Sequence, residues 1–321
     1  MIKKTSYIIL SFFLTRVLFI GIGFNTLINL SKNNVLLSSI LGMLLGLIVL
    51  YIFYKKISIN KYILSFMAIV LMISIVITNV SLTSNFLLLK TPVLMILLVF
   101  MIFIIYGSSK NMLTTSRISS IIICPTIMLM VFTLWGLSSL VEFNNLFPLF
   151  NTNIIDFIIA TLSFMALSVI PNILLINYKN KLNFRDVSLG YVIGSLFVIV
   201  LMFYIISIYG YDLAIISKYP EYLILKKVFI VSNINNVENI LILESLSCIF
   251  ITSLVCANVL KDNLSNKIFY VVLLLISIIV LLSLHEIFYL TILIQKYSNY
   301  LYLGLIAIAL IIPNFKLKRN L

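Results

Sequence analysis

The chain has 321 residues, of which 63% are hydrophobic and only 10% are charged, and its formal net charge is +13. A soluble domain is about 45–50% apolar and about 25% charged, so one water-soluble core could not bury this much apolar sequence. The composition therefore excludes a soluble enzyme, a disordered segment and a nucleic-acid-binding domain, and it predicts an integral membrane protein.

Ten apolar segments are long enough to cross a bilayer as helices, because the hydrocarbon core requires about 20 residues. The segments are continuous and lack the alternation of a transmembrane barrel, so we predict an all-α protein with a single transmembrane domain, 1–321. In chain order the predicted spans are residues 7–29, 34–54, 62–87, 91–108, 116–140, 153–177, 187–209, 239–259, 267–286 and 299–314.

The distribution of Lys and Arg predicts the orientation of these spans. If the N-terminus is inside, fifteen of the 22 basic residues lie in inner segments and Arg16 lies within a span. The outer segments carry only six, which are Lys32, Lys90, Lys218, Lys226, Lys227 and Lys296. The positive-inside rule therefore predicts that both termini are cytoplasmic.

One connection, residues 210–238, is much longer than the others and lies on the predicted outer side. It contains Tyr219-Pro220-Glu221-Tyr222 followed by an apolar stretch. A solvated loop is rarely this apolar, so we predict a helical hairpin that packs on the outer face like a lid.

Three groups of residues, taken in order, carry a family resemblance. They are Leu87-Leu88-Leu89-Lys90-Thr91-Pro92 with Tyr106-Gly107 and Ser116-Arg117; Asn144-Asn145-Leu146-Phe147-Pro148-Leu149 with Pro171; and Lys218-Tyr219-Pro220 with Lys226-Lys227 and Asn236-Val237-Glu238. Together they resemble the spore germination permease family, the B subunit of GerA-type germinant receptors, within the amino acid–polyamine–cation superfamily.

The resemblance implies a fold and a function. It implies a LeuT-like 5+5 inverted repeat, approximately residues 7–140 and 153–314, in which the first helix of each repeat is broken near the membrane midplane. It also implies a germinant-receptor subunit in a bacterial cell membrane or a spore inner membrane. Such a subunit binds a small amino acid or similar nutrient and assembles with a second membrane subunit and a lipoprotein. Two alternatives stay open, which are a proton-coupled amino acid transporter and a membrane scaffold without a ligand.

Gly21-Ile22-Gly23 lies past the middle of the first span and predicts a helix break there. Glycine allows a helix to unwind, and freed backbone N–H groups at a half-helix N-terminus attract a carboxylate. The alternative is that the glycines only permit close helix packing. In the second repeat the corresponding span has no glycine, and Ser163 is the candidate lining residue, unless its hydroxyl bonds only to its own helix.

Arg16 and Glu244 are ionisable groups inside predicted spans, where each charge costs about 2.5–3.5 kcal/mol on insertion scales. We predict that they lie near the substrate site and form a pair or a relay for ion or proton coupling, with Ser245 adding a hydroxyl. The alternatives are that the Arg16 side chain extends to the inner membrane interface and that Glu244 is exposed to water at the outer surface. A self-bonded hydroxyl is the alternative for Ser245.

The sequence contains no motif for enzymatic chemistry or for a metal site. It has one histidine and three cysteines without paired spacing, and it shows no nucleophile–base pair, phosphate loop or carboxylate dyad. We therefore expect no enzyme activity, no cofactor and no metal, with the lipid bilayer as the environment and no nucleic-acid partner.

Overall fold

The computed structural model describes residues 4–55, 59–149, 151–181, 183–217, 219–231, 237–282 and 287–311. For residues 4, 179–181, 228–231, 237–241 and 287–296 the structure describes the backbone only. Lys218 and Asn236, which belong to the family resemblance, lie outside the described residues. The described part of the chain is all-α and contains no β-strand, as the sequence predicts.

Twelve α-helices account for most of the described chain, and short π or 3₁₀ turns connect several of them. Their bounds are α1 Lys4–Arg16, α2 Phe24–Ser31, α3 Val35–Lys55, α4 Lys61–Leu82, α5 Val93–Ser109, α6 Met112–Leu137, α7 Ile154–Ile173, α8 Phe184–Ile216, α9 Pro220–Val231, α10 Val237–Asn263, α11 Asn266–Leu282 and α12 Ile287–Ile311.

Six helical segments in the described residues are long and apolar enough to cross a membrane. They are Thr5–Lys55, Lys61–Leu87, Met112–Leu140, Ile154–Tyr178, Phe184–Ile216 and Ile242–Asn263. Three shorter apolar helices are Val93–Ser109, Asn266–Leu282 and Tyr297–Ile311. The first segment contains three helices, α1, α2 and α3. The backbone departs from helical geometry between α2 and α3, at Lys32, whose φ is +47°. The protein therefore has the helical character of a multi-pass membrane protein.

Two helix pairs dominate the packing, and both depend on glycines spaced four residues apart. α1 packs along α8, and α3 packs along α7. A Cβ atom added at Gly42 of α3 would lie 2.7 Å from the carbonyl oxygen of Thr161, and one at Gly194 of α8 would lie 3.0 Å from that of Phe12. Gly46 and Gly190 complete the two Gly-xxx-Gly pairs. Small residues at this spacing allow membrane helices to approach closely.

The described part of the long connection, which the sequence predicts as a lid-like helical hairpin, contains the helix α9. α8 continues past the predicted span end to Ile216, with a kink at Gly210 where φ is +66°. α9 then packs against α10, α8 and α6. Its Tyr222 and Ile224 are buried. These two residues of the connection are therefore part of the hydrophobic core.

Candidate functional site

The first helix is broken at the predicted glycine. α1 ends at Arg16, and residues Phe19–Gly23 form a π turn with non-helical backbone at Ile20, whose ψ is 118°, and at Gly21, whose φ is +73°. Positive φ is unfavourable for residues with a Cβ, so Gly21 is the residue that permits the break. Gly23 has ordinary helical backbone, with φ −71° and ψ −38°, and its role there is close packing.

The amide freed by the break is not bare, which corrects the prediction. The backbone N–H of Gly21 donates to Oε1 of Glu221 at 2.7 Å. Glu221 lies in the first turn of α9, 200 residues further along the chain. The broken helix therefore binds a carboxylate in this structure, and that carboxylate belongs to the protein itself.

A small cavity lies beside this contact. Its volume is about 40 Å³, which is room for roughly three water molecules and far below the about 300 Å³ of a small-molecule pocket. Ile20, Glu221, Glu244 and Ser245 line it, together with apolar residues and Thr133. Two carboxyl groups from α9 and α10 thus face one enclosed space next to the helix break.

Glu244 forms an ion pair with Arg16, so the structure brings together the two predicted intramembrane charges. Their side chains are only 12% and 3% exposed, so both lie within the helix bundle. The guanidinium lies 4.2 Å from the ring centroid of Phe197 and 4.9 Å from that of Phe12. Arg16 is also the last residue of α1, where the helix dipole favours a cation. Its role in coupling stays a prediction.

Glu221 differs from Glu244 because no cation is paired with it among the described residues. Burial raises the pKa of the Glu221 carboxyl group to about 7, above its ordinary value of 4.5, and the hydrogen bond from Gly21 opposes that rise. At neutral pH the protonated and the charged form of this carboxyl group are therefore both populated, whereas a solvent-exposed glutamate is charged.

Aromatic contacts hold α9 over the break. Phe86 stacks on Tyr222 with ring centroids 3.7 Å apart and meets Tyr219 edge-on at 5.3 Å. The hydroxyl groups of Tyr219 and Ser81 form a hydrogen bond of 2.5 Å. These contacts fix the first turn of α9, and they thereby fix the position of the Glu221 carboxylate.

Asn25 of α2 holds the chain that leads into α9. Its side-chain amide donates to the carbonyl oxygens of Ile215 at 3.1 Å and Ser217 at 2.7 Å. Peptide carbonyls at the end of α8 lack helical partners, so a side-chain donor satisfies them. Through Asn25, the segment after the break is joined directly to the approach to α9.

The second predicted break is absent, and this part of the prediction is wrong. α7 is helical from Ile154 to Ile173, and Ser163 donates to the carbonyl oxygen of Ile159 at 2.7 Å. Of the five predicted ligand-binding residues, the structure places Ser245 in the lining of the cavity but not Gly21, Ile22, Gly23 or Ser163. Without a glycine, α7 has no residue that tolerates unwinding at low cost.

Sequence reasoning missed Asn172, which connects α7 to α1 inside the core. The amide of Asn172 donates to the Thr15 hydroxyl at 2.9 Å and to the Ser168 carbonyl at 2.8 Å, and its oxygen accepts from Ser11 at 2.7 Å. The available signal was an amide side chain in the apolar stretch beside Pro171. A buried network of this kind fixes the relative position of two helices.

We expect Asn172→Ala to lower the free energy of unfolding by about 1–3 kcal/mol, because it leaves the buried hydroxyls of Ser11 and Thr15 without this partner. Thermal unfolding of the purified protein in detergent measures the loss. Asn29→Ala is the control, since Asn29 is exposed and its amide makes a single hydrogen bond to Asn25. Equal stabilities of the two variants would contradict a structural role for the network.

Among the described residues, no group of three or more His, Cys, Asp or Glu side chains gathers where it could hold a metal ion. No protein-family model matches the sequence, and a comparison with curated proteins finds no match. The functional argument therefore depends on the geometry of the site: a broken helix, a carboxylate that accepts from the Gly21 amide, and a buried ion pair beside a small cavity.

Proposed function

We propose that this chain is the transmembrane subunit of a nutrient germinant receptor, which binds a small amino acid or similar nutrient at the break in its first helix. One observation carries the proposal: the Gly21 amide binds a carboxylate oxygen at 2.7 Å. An amide with this geometry suits the carboxylate of an amino acid, since backbone N–H groups and a helix N-terminus together favour an anion. The Arg16–Glu244 pair and Ser245 provide further polar groups nearby.

The proposed architecture is ten spans in a LeuT-like inverted repeat with both termini cytoplasmic. The helix packing supports it. In ten spans, α3 is the second and α8 the seventh. Gly42 of α3 packs against α7, and Gly190 and Gly194 of α8 pack against α1, so each helix uses glycine against the first helix of the other repeat. Exchange of the two repeats converts one contact into the other, as a two-fold axis requires. The single helix break, in α1 and not in α7, makes the two halves unequal.

In this proposal the subunit passes a conformational change to a second membrane subunit and a lipoprotein in a bacterial cell membrane or a spore inner membrane. The small cavity volume is consistent with a closed state, in which α9 covers the site. A nutrient then enters only when α9 moves away from the break. Movement of α9 is the change that a sensor can report to its partners.

A proton-coupled amino acid transporter is the second candidate. It is favoured by the Glu221 carboxyl group, which faces the same cavity as Glu244 and whose burial raises its pKa to about 7. A group that gains and loses a proton at a binding site is what coupling to a proton gradient requires. The third possibility, a scaffold without a ligand, predicts that no amino acid binds.

The test is direct binding of the twenty common L-amino acids, radiolabelled, to purified protein in nanodiscs, followed by uptake into liposomes with and without a proton gradient. The receptor proposal expects saturable binding of at least one amino acid without accumulation. Accumulation driven by the gradient would establish the transporter instead, and absence of any binding would establish the scaffold.

Ser245→Leu is the matched site variant for this assay. Ser245 lines the cavity, and the larger leucine side chain would fill it. We expect it to reduce amino acid affinity at least about tenfold, which corresponds to about 1.4 kcal/mol. Ser247→Leu is the control, since the Ser247 hydroxyl lies on an exposed part of the same helix and donates to the Leu243 carbonyl. Equal affinities in the two variants would mean that the nutrient binds elsewhere.

A further inference from the structure

We propose that Glu221 is a tethered carboxylate that occupies the amide site at the helix break, and that a nutrient carboxylate binds by displacing it. The inference rests on the proposed function and restricts the nutrient to molecules that carry a carboxylate. It also assigns to α9 the role of a self-inhibiting segment. Glu221 was part of a motif in the sequence, but no role follows for it from the sequence alone.

The geometry supports displacement more than simultaneous binding. Oε1 of Glu221 accepts from the Gly21 amide at 2.7 Å, and the cavity beside it holds only about 40 Å³. An amino acid carboxylate cannot reach the same N–H while Glu221 remains. Two carboxylates at one donor would also repel each other in an enclosed site, with Glu244 as a third negative charge nearby.

The surroundings of Glu221 contain few other titratable groups among the described residues. From α10 it faces Glu244, whose charge is balanced by Arg16 of α1. Within its own segment lie Tyr219, whose pKa is raised to about 12 by burial, and Lys226, whose Nζ lies 5.0 Å from the Tyr222 ring centroid. From α8, the Tyr209 hydroxyl donates to the Leu223 carbonyl, and Lys227 lies over the Tyr209 ring. α6 and α4 contribute Met130, Thr133 and Leu82 to the cavity, none of which titrates.

Release of Glu221 is coupled to a proton, and the sign follows from its surroundings. In the closed site its pKa is near 7, and in water it returns towards 4.5. The closed state therefore binds more protons between these two values, and a proton passes to solvent when Glu221 leaves. The stabilisation of the closed state is complete below about pH 4.5 and is lost as the pH rises through 7.

Two variants of the full-length protein separate the roles of charge and hydrogen bond. Glu221→Gln keeps an oxygen that can accept from Gly21 but does not titrate. We expect the melting temperature of the wild type, relative to Glu221→Gln, to fall by roughly 5 °C between pH 5 and pH 8. Most of the change should occur below pH 7. Glu142→Gln is the control, because Glu142 is exposed, and its curve should parallel the wild type. Parallel curves for the wild type and Glu221→Gln would overturn the proton coupling.

Glu221→Ala tests the carboxylate site itself, with acetate as the probe. Removal of the side chain takes away the carboxylate that accepts from the Gly21 amide. Acetate should therefore take its place and raise the melting temperature of this variant in a saturable manner, whereas chloride at equal ionic strength should not. Wild type and Glu221→Gln should not respond, since their amide is occupied. An acetate response that is equal in all variants, or absent in a folded Glu221→Ala protein, would overturn the tethered-carboxylate proposal. If Glu221→Ala does not fold, the pH comparison with Glu221→Gln decides.

These outcomes are separable from the proposed function. Acetate binding to Glu221→Ala together with no amino acid binding to any variant would retain the carboxylate site and reject the receptor. Amino acid binding without acetate rescue and without a Glu221-dependent pH effect would retain the receptor and reject the inference.

Discussion

Removal of either Arg16 or Glu244 should destabilise the protein by roughly 3–5 kcal/mol, and removal of both should cost much less than the sum. Each single change to alanine leaves one buried charge without its partner, and a lone charge in the interior is far more costly than an empty site. The double variant removes that charge. Unfolding in mixed micelles with increasing SDS provides the four free energies of the cycle.

Arg117 and Glu142 provide the matched control for this cycle. Both are exposed. Arg117 lies near the start of α6 and Glu142 lies beyond its end, and the helix from Arg117 to Leu137 is roughly 30 Å long at about 1.5 Å per residue. Changes to alanine at these two positions should be small and additive. If Arg16→Ala and Glu244→Ala were additive as well, the ion pair would not be an energetic unit, and the argument for a coupled charge site would fail.

Gly21→Leu should abolish amino acid binding, and it should destabilise the protein by roughly 2–4 kcal/mol. A Cβ at this position would lie 2.8 Å from Cγ2 of Thr78 and 3.1 Å from Cε1 of Tyr219, and φ is +73°. The substitution therefore opposes the break and displaces the residue that precedes α9. Binding assays in nanodiscs and thermal unfolding in detergent measure the two effects.

Substitutions at two other glycines distinguish the two effects of Gly21→Leu, which are backbone strain and steric crowding. Gly23→Leu is equally crowded, since a Cβ would lie 2.8 Å from Cδ1 of Phe19, but its backbone is helical. We expect it to destabilise the protein less than Gly21→Leu does. Gly304 of α12 has no neighbouring atom within 4 Å of an added Cβ, so Gly304→Leu should be tolerated. Normal nutrient binding by Gly21→Leu would remove the proposed site.

The sequence predicted the helix break because glycine has a local and specific backbone preference. It also predicted intramembrane charges near a common site, since unpaired charges are too costly to leave in a span. In both cases one residue type carries an energy large enough to limit the possible structures. The all-α class followed for the same reason, from long apolar segments.

The partner of the Gly21 amide could not be predicted in this way. Glu221 is 200 residues away, and no spacing rule connects a loop glutamate with a particular backbone N–H. The broken helix expected in the second repeat came from the resemblance and not from the residues of α7. Ser163 followed the local alternative, a hydrogen bond to the carbonyl of Ile159 in its own helix.

The two hydrogen bonds from Asn25 to the carbonyls of Ile215 and Ser217 have a thermodynamic consequence for the whole protein. They couple the position of α2 to that of α9, and coupling free energies act equally in both directions. A neighbouring chain that binds α2 from the lipid side would therefore strengthen or weaken the contact of Glu221 with the Gly21 amide, without contacting the cavity. By the same reciprocity, a nutrient bound at the Gly21 amide would change the affinity of α2 for that neighbouring chain.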